Sequence, residues 1–446
     1  MKPTLLASVV LAALGSTAHA GPTFHPSGSN LTYGVNSVSQ SVITSINNPA
    51  AGAIALQNGD TRFRMGLVTI GAGVEFGDID NFEDDLDRLI DKIDTLTQQE
   101  ALDIFNNVPG NLLDQFNDKL PGISQDGYMI VSAGGHLPIM PLLIASDMLG
   151  GAITLDASAG ANARVGVLDD ALDYDNNGTP TDFTDDSIAG EQSSMYVQGG
   201  VVAELALGYS TSVLSGAAGD LYVGGKLKYL SAELGRNNAR LDDPTVIDTS
   251  SVLDDFDNNT VESSALTADI GLVWAADHYQ LGATLLNVTS PSFEYPSDDT
   301  FTSLPNCDLR TSMDSDGAIA RCKAALEDTE YNLDAQLRLE AALYSASRSW
   351  LITSAYDTSE TETPSGDKQQ WAVVALGFAP ESWIIPGVRV GYRQNMAGSE
   401  LSYATFGVTL FKALSIDLAY GLQSTKIDGS TAPRGAAANV AFELRF

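Results

Sequence analysis

The sequence predicts an all-β chain: a transmembrane antiparallel up-and-down β-barrel of about fourteen strands, with an N-terminal plug and a helical insertion in its first external loop. Three observations predict it. These are a secretory leader, period-two strands long enough to cross a membrane, and connections that alternate between short and long.

The leader is "MKPTLLASVVLAALGSTAHA", residues 1–20. It carries Lys2, an apolar stretch from Leu5 to Leu14, and Ala18-His19-Ala20 as a small-x-small cleavage site. The apolar run is too short to span a bilayer as a helix, which needs about 20 residues. No later stretch reaches that length. The chain is therefore expected to leave the cytosol without a helical anchor.

The 446 residues include 57 Asp plus Glu against 23 Lys plus Arg, a formal net charge of −34. Such a field repels nucleic acid, and no basic run supplies a local patch, so no nucleic-acid partner is expected.

From Arg62 onward, about fourteen stretches alternate with period two, which sorts side chains onto two faces. They start near Arg62, Gly127, Gly150, Ser194, Gly219, Glu262, His278, Tyr331, Ser349, Lys368, Trp383, Glu400, Ala413 and Ala436. In "DLYVGGKLKYL", Leu221, Val223, Leu227 and Tyr229 stand against Tyr222, Lys226 and Lys228. Short connections at 275–278, 345–349, 379–382 and 411–414 take turns with long acidic ones at 75–126, 168–193, 235–261, 289–330, 359–367 and 424–435. Outer-membrane barrels sort their loops in this way, whereas a soluble sandwich or propeller has no reason to. The last stretch, "AANVAFELRF", sets Val440, Phe442, Leu444 and Phe446 on one face. In a closed barrel that strand pairs with the first and turns its apolar face to lipid, where aromatics join the interfacial girdle.

A ring of this size encloses more space than side chains fill, since about eight strands already make a just-packed interior. Residues 21–61 precede the first strand and are expected inside the lumen as a hatch, with 62–446 forming the barrel. Asn48 suits a helix N-cap and Pro49 a first helical position, so a short helix over 50–57 is expected.

Asn48, Pro49 and Ala50, shortly after a leader and ahead of such a barrel, resemble the hatch motif of the FadL-like transporters of hydrophobic compounds. The whole outline is similar to the TraF-like outer-membrane proteins, a related group that also carries an Asp-rich helical stretch after strand one, like "NFEDDLDRLIDKID" here. The resemblance implies passive transport of a small hydrophobic ligand past a hatch, in the lipid of a Gram-negative outer membrane. The final strand resembles the signal read by the barrel-assembly machinery. A non-transporting envelope protein, structural or conjugation-associated, is the alternative.

The helical insertion is expected over about 81–120. Phe82, Leu86, Leu89, Ile90, Ile93 and Leu96 recur at helical spacing, and Leu112, Leu113, Phe116 and Leu120 repeat the pattern. Their apolar faces either pack over the barrel mouth or form a greasy funnel that captures a ligand.

Alternation sets Arg62, Arg64, Glu204, Lys226, Lys228, Asp269, Asp334, Arg338, Glu340, Arg389, Arg393, Asp417 and Glu443 on the inner face. Lumen solvation and links to the plug account for such a set. Arg389 and Arg393 with Lys226 and Lys228 are also candidates to hold a carboxylate head group. "DYDNNGTP" places Asp173, Asp175, Asn177 and the Thr179 carbonyl at calcium-loop positions, but Thr184 stands where the bidentate Glu belongs. At most a weakly bound calcium ion is expected there, and no other cofactor. Cys307 and Cys322, the two cysteines, are expected to pair in an oxidising compartment. His25, His136 and His278 lie in no catalytic or zinc spacing, and no Walker loop appears, so no enzyme is expected.

Overall fold

The computed structural model describes residues 26–38, 41–56, 62–80, 96–176, 178, 186–189, 193–240, 256, 259–296, 307, 315–326, 330–427 and 429–445. The leader at 1–20, the 81–95 part of the helical insertion expected over about 81–120, Asn177, Thr179 and Phe446 lie outside the described residues.

Fifteen wall segments form a single antiparallel sheet that closes on itself. They are β1 (Phe63–Phe76), β2 (Tyr128–His136), β3 (Leu142–Ser146), β4 (Gly151–Leu168) and β5 (Ser194–Gly216). Next come β6 (Gly219–Arg240), β7 (Thr260–Ala275), β8 (Tyr279–Leu286), β9 (Gln336–Tyr344) and β10 (Trp350–Asp357). The ring ends with β11 (Trp371–Phe378), β12 (Gly387–Asn395), β13 (Ser402–Leu410), β14 (Leu414–Gly421) and β15 (Gly435–Arg445). β2 and β3 share one position, because both pair with β1 on one side and β4 on the other. The wall therefore has fourteen positions, an even count as expected. β15 closes it against β1, from Arg64 opposite Arg445 to Glu75 opposite Gly435.

The wall is interrupted between β2 and β3. The Leu137 N–H reaches the Ala157 carbonyl (2.8 Å), and the Gly66 N–H reaches that of Pro141 (3.0 Å). The backbone there passes so close that a Cβ on Gly66 would sit 2.4 Å from the Met140 oxygen, so this position requires glycine.

The faces are inverted relative to a soluble protein. Leu205, Leu227, Leu266, Ile270, Leu339, Leu376, Phe406 and Leu418 point outward and are exposed, while Glu204, Lys228, Asp269, Arg389 and Asp417 point inward and are buried. A continuous apolar band of this kind is stable against acyl chains and not against water. Two members of the predicted inner set fall outside it. Arg62 is 72% exposed and pairs with Asp147 (2.7 Å) below β1, and Asp334 is exposed before β9. Both stand beyond a strand end, where pleat alternation no longer assigns a face. The stretch expected from Trp383 begins at Gly387 instead, leaving Trp383, Ile384 and Ile385 exposed in the preceding turn.

Among the described residues, three helices stand on the long-loop side; numbered after the three of the N-terminal segment (Asn30–Tyr33, Val42–Ser45 and Ala51–Leu56), they are α4 (Gln98–Phe105), α5 (Leu112–Asp126) and α6 (Ser315–Leu326). α4, which the sequence reading did not single out, opens on a capping box between Thr97 and Glu100. Asn111 caps α5 by accepting from the Asp114 N–H (2.9 Å). Phe116, Leu120 and Ile123 on α5 bury against Val167, Leu172, Ile188, Met195 and Val197, the raised ends of β4 and β5 and the loop between them. A Cys307–Cys322 disulfide, with Cα atoms 5.6 Å apart, anchors α6. Arg321 on α6 donates to Asp169 (2.8 Å) and to Ser124 on α5 (2.9 Å).

Candidate functional site in the lumen

The described residues between 26 and 56 lie against the inner wall as three short helices, α1 (Asn30–Tyr33), α2 (Val42–Ser45) and α3 (Ala51–Leu56). Isolated helices this short do not persist in water, so packing must hold them. Val42, Ile43, Ala55 and Leu56 bury against Leu143 and Ala152, and Tyr33 and Val38 against Ala342, Leu351 and Ala375.

Polar groups set the position more sharply than packing. Glu340 of β9 accepts from the Ser37 N–H (2.6 Å), the Ser37 hydroxyl (2.5 Å) and the Asn48 amide (3.0 Å). Glu443 of β15 accepts from the Ser41 hydroxyl (3.0 Å) and the Val42 N–H (2.5 Å) at the start of α2. Asp417 of β14 accepts from the Thr32 hydroxyl (2.5 Å). The Asn36 amide reaches the Ala341 and Ser354 carbonyls, 3.0 Å each. Three wall carboxylates therefore receive donors from the segment, and charge-assisted bonds of this type are the strong ones.

Asn48, Pro49 and Ala50 are pressed onto the wall. The Asn48 amide donates to Leu272 (3.1 Å) and Ala283 (3.2 Å) carbonyls, and its Oδ1 accepts from the Ala50 N–H (3.0 Å). Wall glycines make this approach possible: a Cβ on Gly271 would stand 2.0 Å from Asn48 Oδ1, and one on Gly224 would stand 2.2 Å from the Pro49 oxygen.

Two of the cavities that border the segment lie on opposite sides of it. One of about 240 Å³, on the long-loop side, is lined by His136, Asp156, Glu204, Lys226, Lys228, Asp269, Arg338, Trp371 and Arg393 among others. The second, about 140 Å³ on the short-turn side, is lined by Tyr33, Phe378, Arg389, Lys412 and Arg445 among others. The predicted cationic residues are thus divided. Lys226, Lys228, Arg338 and Arg393 share the first cavity, and Arg389 faces the second. A single four-cation site does not form, because β12 runs past the segment and leaves Arg389 and Arg393 on opposite sides of it.

Most of these cations are already neutralised. Lys226 meets Glu204 and Asp269 (3.2 Å each), Lys228 meets Asp269 (2.6 Å), and Arg338 meets Asp357 (2.6 Å). Arg389 is bidentate to Asp417, with Nε to Oδ1 at 2.8 Å. His136 Nδ1 lies 2.8 Å from Asp156. Arg393 has no carboxylate within ion-pair distance among the described residues; it lies 3.9 Å from the centre of the Trp371 ring and donates to the Leu31 carbonyl (3.4 Å).

Alternation could not reveal a strap over the first cavity. Loop residues 361–369 between β10 and β11 reach the opposite wall, where Asp367 pairs with Arg164 and Ser365 donates to Asn162. The Tyr295 hydroxyl holds the Pro364 carbonyl (2.6 Å). "TPSG", a turn signal within this loop, was the available clue.

On the calcium pattern, Asp173 and Asp175 lie in a short external hairpin opposite Ala189 and Ser187. Among the described residues no group of three or more His, Cys, Asp or Glu is placed to hold a metal ion.

A closed fourteen-position wall with an apolar outside and a polar, segment-filled inside defines an outer-membrane-type β-barrel. Residues 45–357 match the family described as "F plasmid transfer operon, TraF, protein", and the chain belongs to that family. No curated protein sequence matches it. Among solved structures, it resembles the toluene transporter TbuX of Ralstonia pickettii at 11% identity and TM-score 0.39, covering 98% of both chains. The toluene transporter TodX of Pseudomonas putida is similar at 12% identity and TM-score 0.38, over 96% of this chain and 98% of that one. A TodX deltaS2S3 mutant, described as a monoaromatic hydrocarbon channel, scores 0.42 at 10% identity, over 91% of this chain and 95% of that one.

Proposed function

We propose that the protein is a passive transporter of small, largely hydrophobic molecules across a Gram-negative outer membrane. In this reading residues 1–20 are the leader, 21–61 the hatch and 62–446 the barrel, inserted by the barrel-assembly machinery through its last strand. The observation that supports it is that the described residues between 26 and 56 lie between two lumenal cavities, pinned to Glu340, Asp417 and Glu443. A wall alone needs no inserted segment, whereas a gate between two chambers does. The charged lining favours ligands that carry a polar end on an apolar body.

Planar-bilayer recording tests the reading. Deletion of residues 21–60 should open a steady conductance absent from the intact protein. A silent deletion would favour a non-transporting envelope role, the reading to which the family's plasmid-transfer description points.

A further inference from the structure

The short-turn rim of the barrel is not uniformly polar. The turns at 276–278 and 345–349 read Ala-Asp-His and Ser-Ala-Ser-Arg-Ser, whereas the one at 379–386 reads "APESWIIP". Trp383, Ile384 and Ile385 there are 63%, 68% and 53% exposed, and Phe411 in the neighbouring turn is 62% exposed. The Trp383 and Phe411 rings meet across the two turns, with centroids 6.2 Å apart. Four bulky apolar side chains this bare form a patch that water does not favour. The patch continues the lipid-facing wall. Trp350, Phe378, Val388 and Val408 stand opposite one another in register across β10 to β13, and Leu410, on the same face as Val408, leads directly into Phe411.

The second turn also breaks a local rule. It is closed by the Ala413 N–H on the Leu410 carbonyl (3.0 Å), and both central residues, Phe411 and Lys412, have positive φ (52° and 53°). A tight hairpin normally gives such positions to Asn or Gly. Turn chemistry therefore does not account for Phe and Lys here, and what their side chains touch must. Lys412 is exposed and, among the described residues, has no carboxylate partner. Short turns of an outer-membrane barrel lie on the periplasmic side, beside the inner leaflet. We propose that the turns at 379–386 and 411–413 form an interfacial anchor that dips into the phospholipids of that leaflet. Trp383, Ile384, Ile385 and Phe411 sit at the level where acyl chains meet glycerol, and Lys412 reaches back to the lipid phosphates. Aromatic rings favour that depth, and a lysine stem can cross it while its ammonium stays among head groups. The anchor sets the height of the β11–β14 side of the ring in the membrane. It rests on the outer-membrane reading and on no assumption about transport.

A nitroxide label on the full mature protein tests it, in vesicles of phosphatidylcholine and phosphatidylglycerol. The label is placed on Ile384→Cys, with Ile270→Cys in the wall and Asp277→Cys in a polar turn as references; the native cysteines are paired with each other and do not take it. Collision with oxygen, which concentrates in lipid, is compared with collision with a nickel chelate, which stays in water. Labels at 384 and 270 should favour oxygen severalfold, and the label at 277 should favour the chelate. Chelate preference at 384 beside oxygen preference at 270 overturns the anchor and leaves the membrane reading standing; the patch would then be a docking face for a soluble periplasmic protein. Chelate preference at both refutes the membrane reading and the anchor with it. Heat-modifiable migration on gels reports the folded barrel. If Ile384→Cys does not fold, tryptophan emission decides: lipid brominated near the glycerol end should quench the component that Trp383→Phe removes, and acrylamide should barely reach it. The opposite pattern overturns the anchor.

Discussion

Arg164 of β4 and Asp367 of the β10–β11 loop form an ion pair between opposite sides of the ring, with side chains 20% and 13% exposed. The Arg164 guanidinium also lies 4.4 Å from the centre of the Tyr128 ring. The pair clamps the strap over the larger cavity. Asp367→Ala leaves a largely buried guanidinium without its partner, and local opening of residues 361–369 should become easier by about 3 kcal/mol. Hydrogen exchange on those residues measures it. The exchanged pair, Arg164→Asp with Asp367→Arg, should restore part of the protection.

Gly271 faces Asn48 so closely that a methyl group has no room. Gly271→Ala should shift the N-terminal segment at a cost of about 1–3 kcal/mol and make it more sensitive to protease. Gly208→Ala, where the nearest atoms stand at 3.4 Å, should behave like the parent. Similar cleavage rates for both variants would contradict the close approach.

Glu340 accepts three hydrogen bonds from the segment. Glu340→Gln presents an amide N–H₂ toward one or more of those donors and should lower the melting stability by about 1–3 kcal/mol. Combining it with Ser37→Ala should cost less than the sum of the two, because both remove the same contacts. A double-mutant cycle by thermal migration shift provides the number.

The outward face should respond to depth. Ile270→Arg should destabilise the barrel by about 2–4 kcal/mol if it lies near the bilayer midplane, and by less toward a rim. Reversible unfolding from lipid vesicles reads this out. In a water-soluble sheet the same exposed position would tolerate arginine.

Outside the wall, Lys426 donates to Asp80 (2.7 Å) and holds its carboxyl below the usual carboxylate range. A carboxylate lowered on folding stabilises the fold above its unfolded range, and that contribution is lost as pH falls through the lowered value. The Asp80 side-chain carbon should therefore titrate below the ordinary aspartate midpoint, and Lys426→Gln should move it upward. An unchanged midpoint would mean the link does not persist in solution.

What the sequence determined by itself is whatever the pleat and local chemistry dictate. Alternation placed Leu227 and Tyr229 outside and Lys226 and Lys228 inside, because a strand's side chains have a period of two wherever the strand lies. Spacing brought out the apolar stripe of α5 and a short helix after Asn48-Pro49, which runs Ala51–Leu56 and so starts after the expected Asn48 cap and Pro49 first position. The tertiary structure decided which charges are spoken for. Asp417 answers Thr32 and Arg389, Glu443 answers Ser41, and Asp367 crosses to Arg164, pairings that span up to 402 residues of sequence. They depend on the register around a closed ring and on where the segment rests within it, and neither is a property of any short stretch. For that reason the sequence showed a row of inner charges, and only the folded wall shows which of them pair.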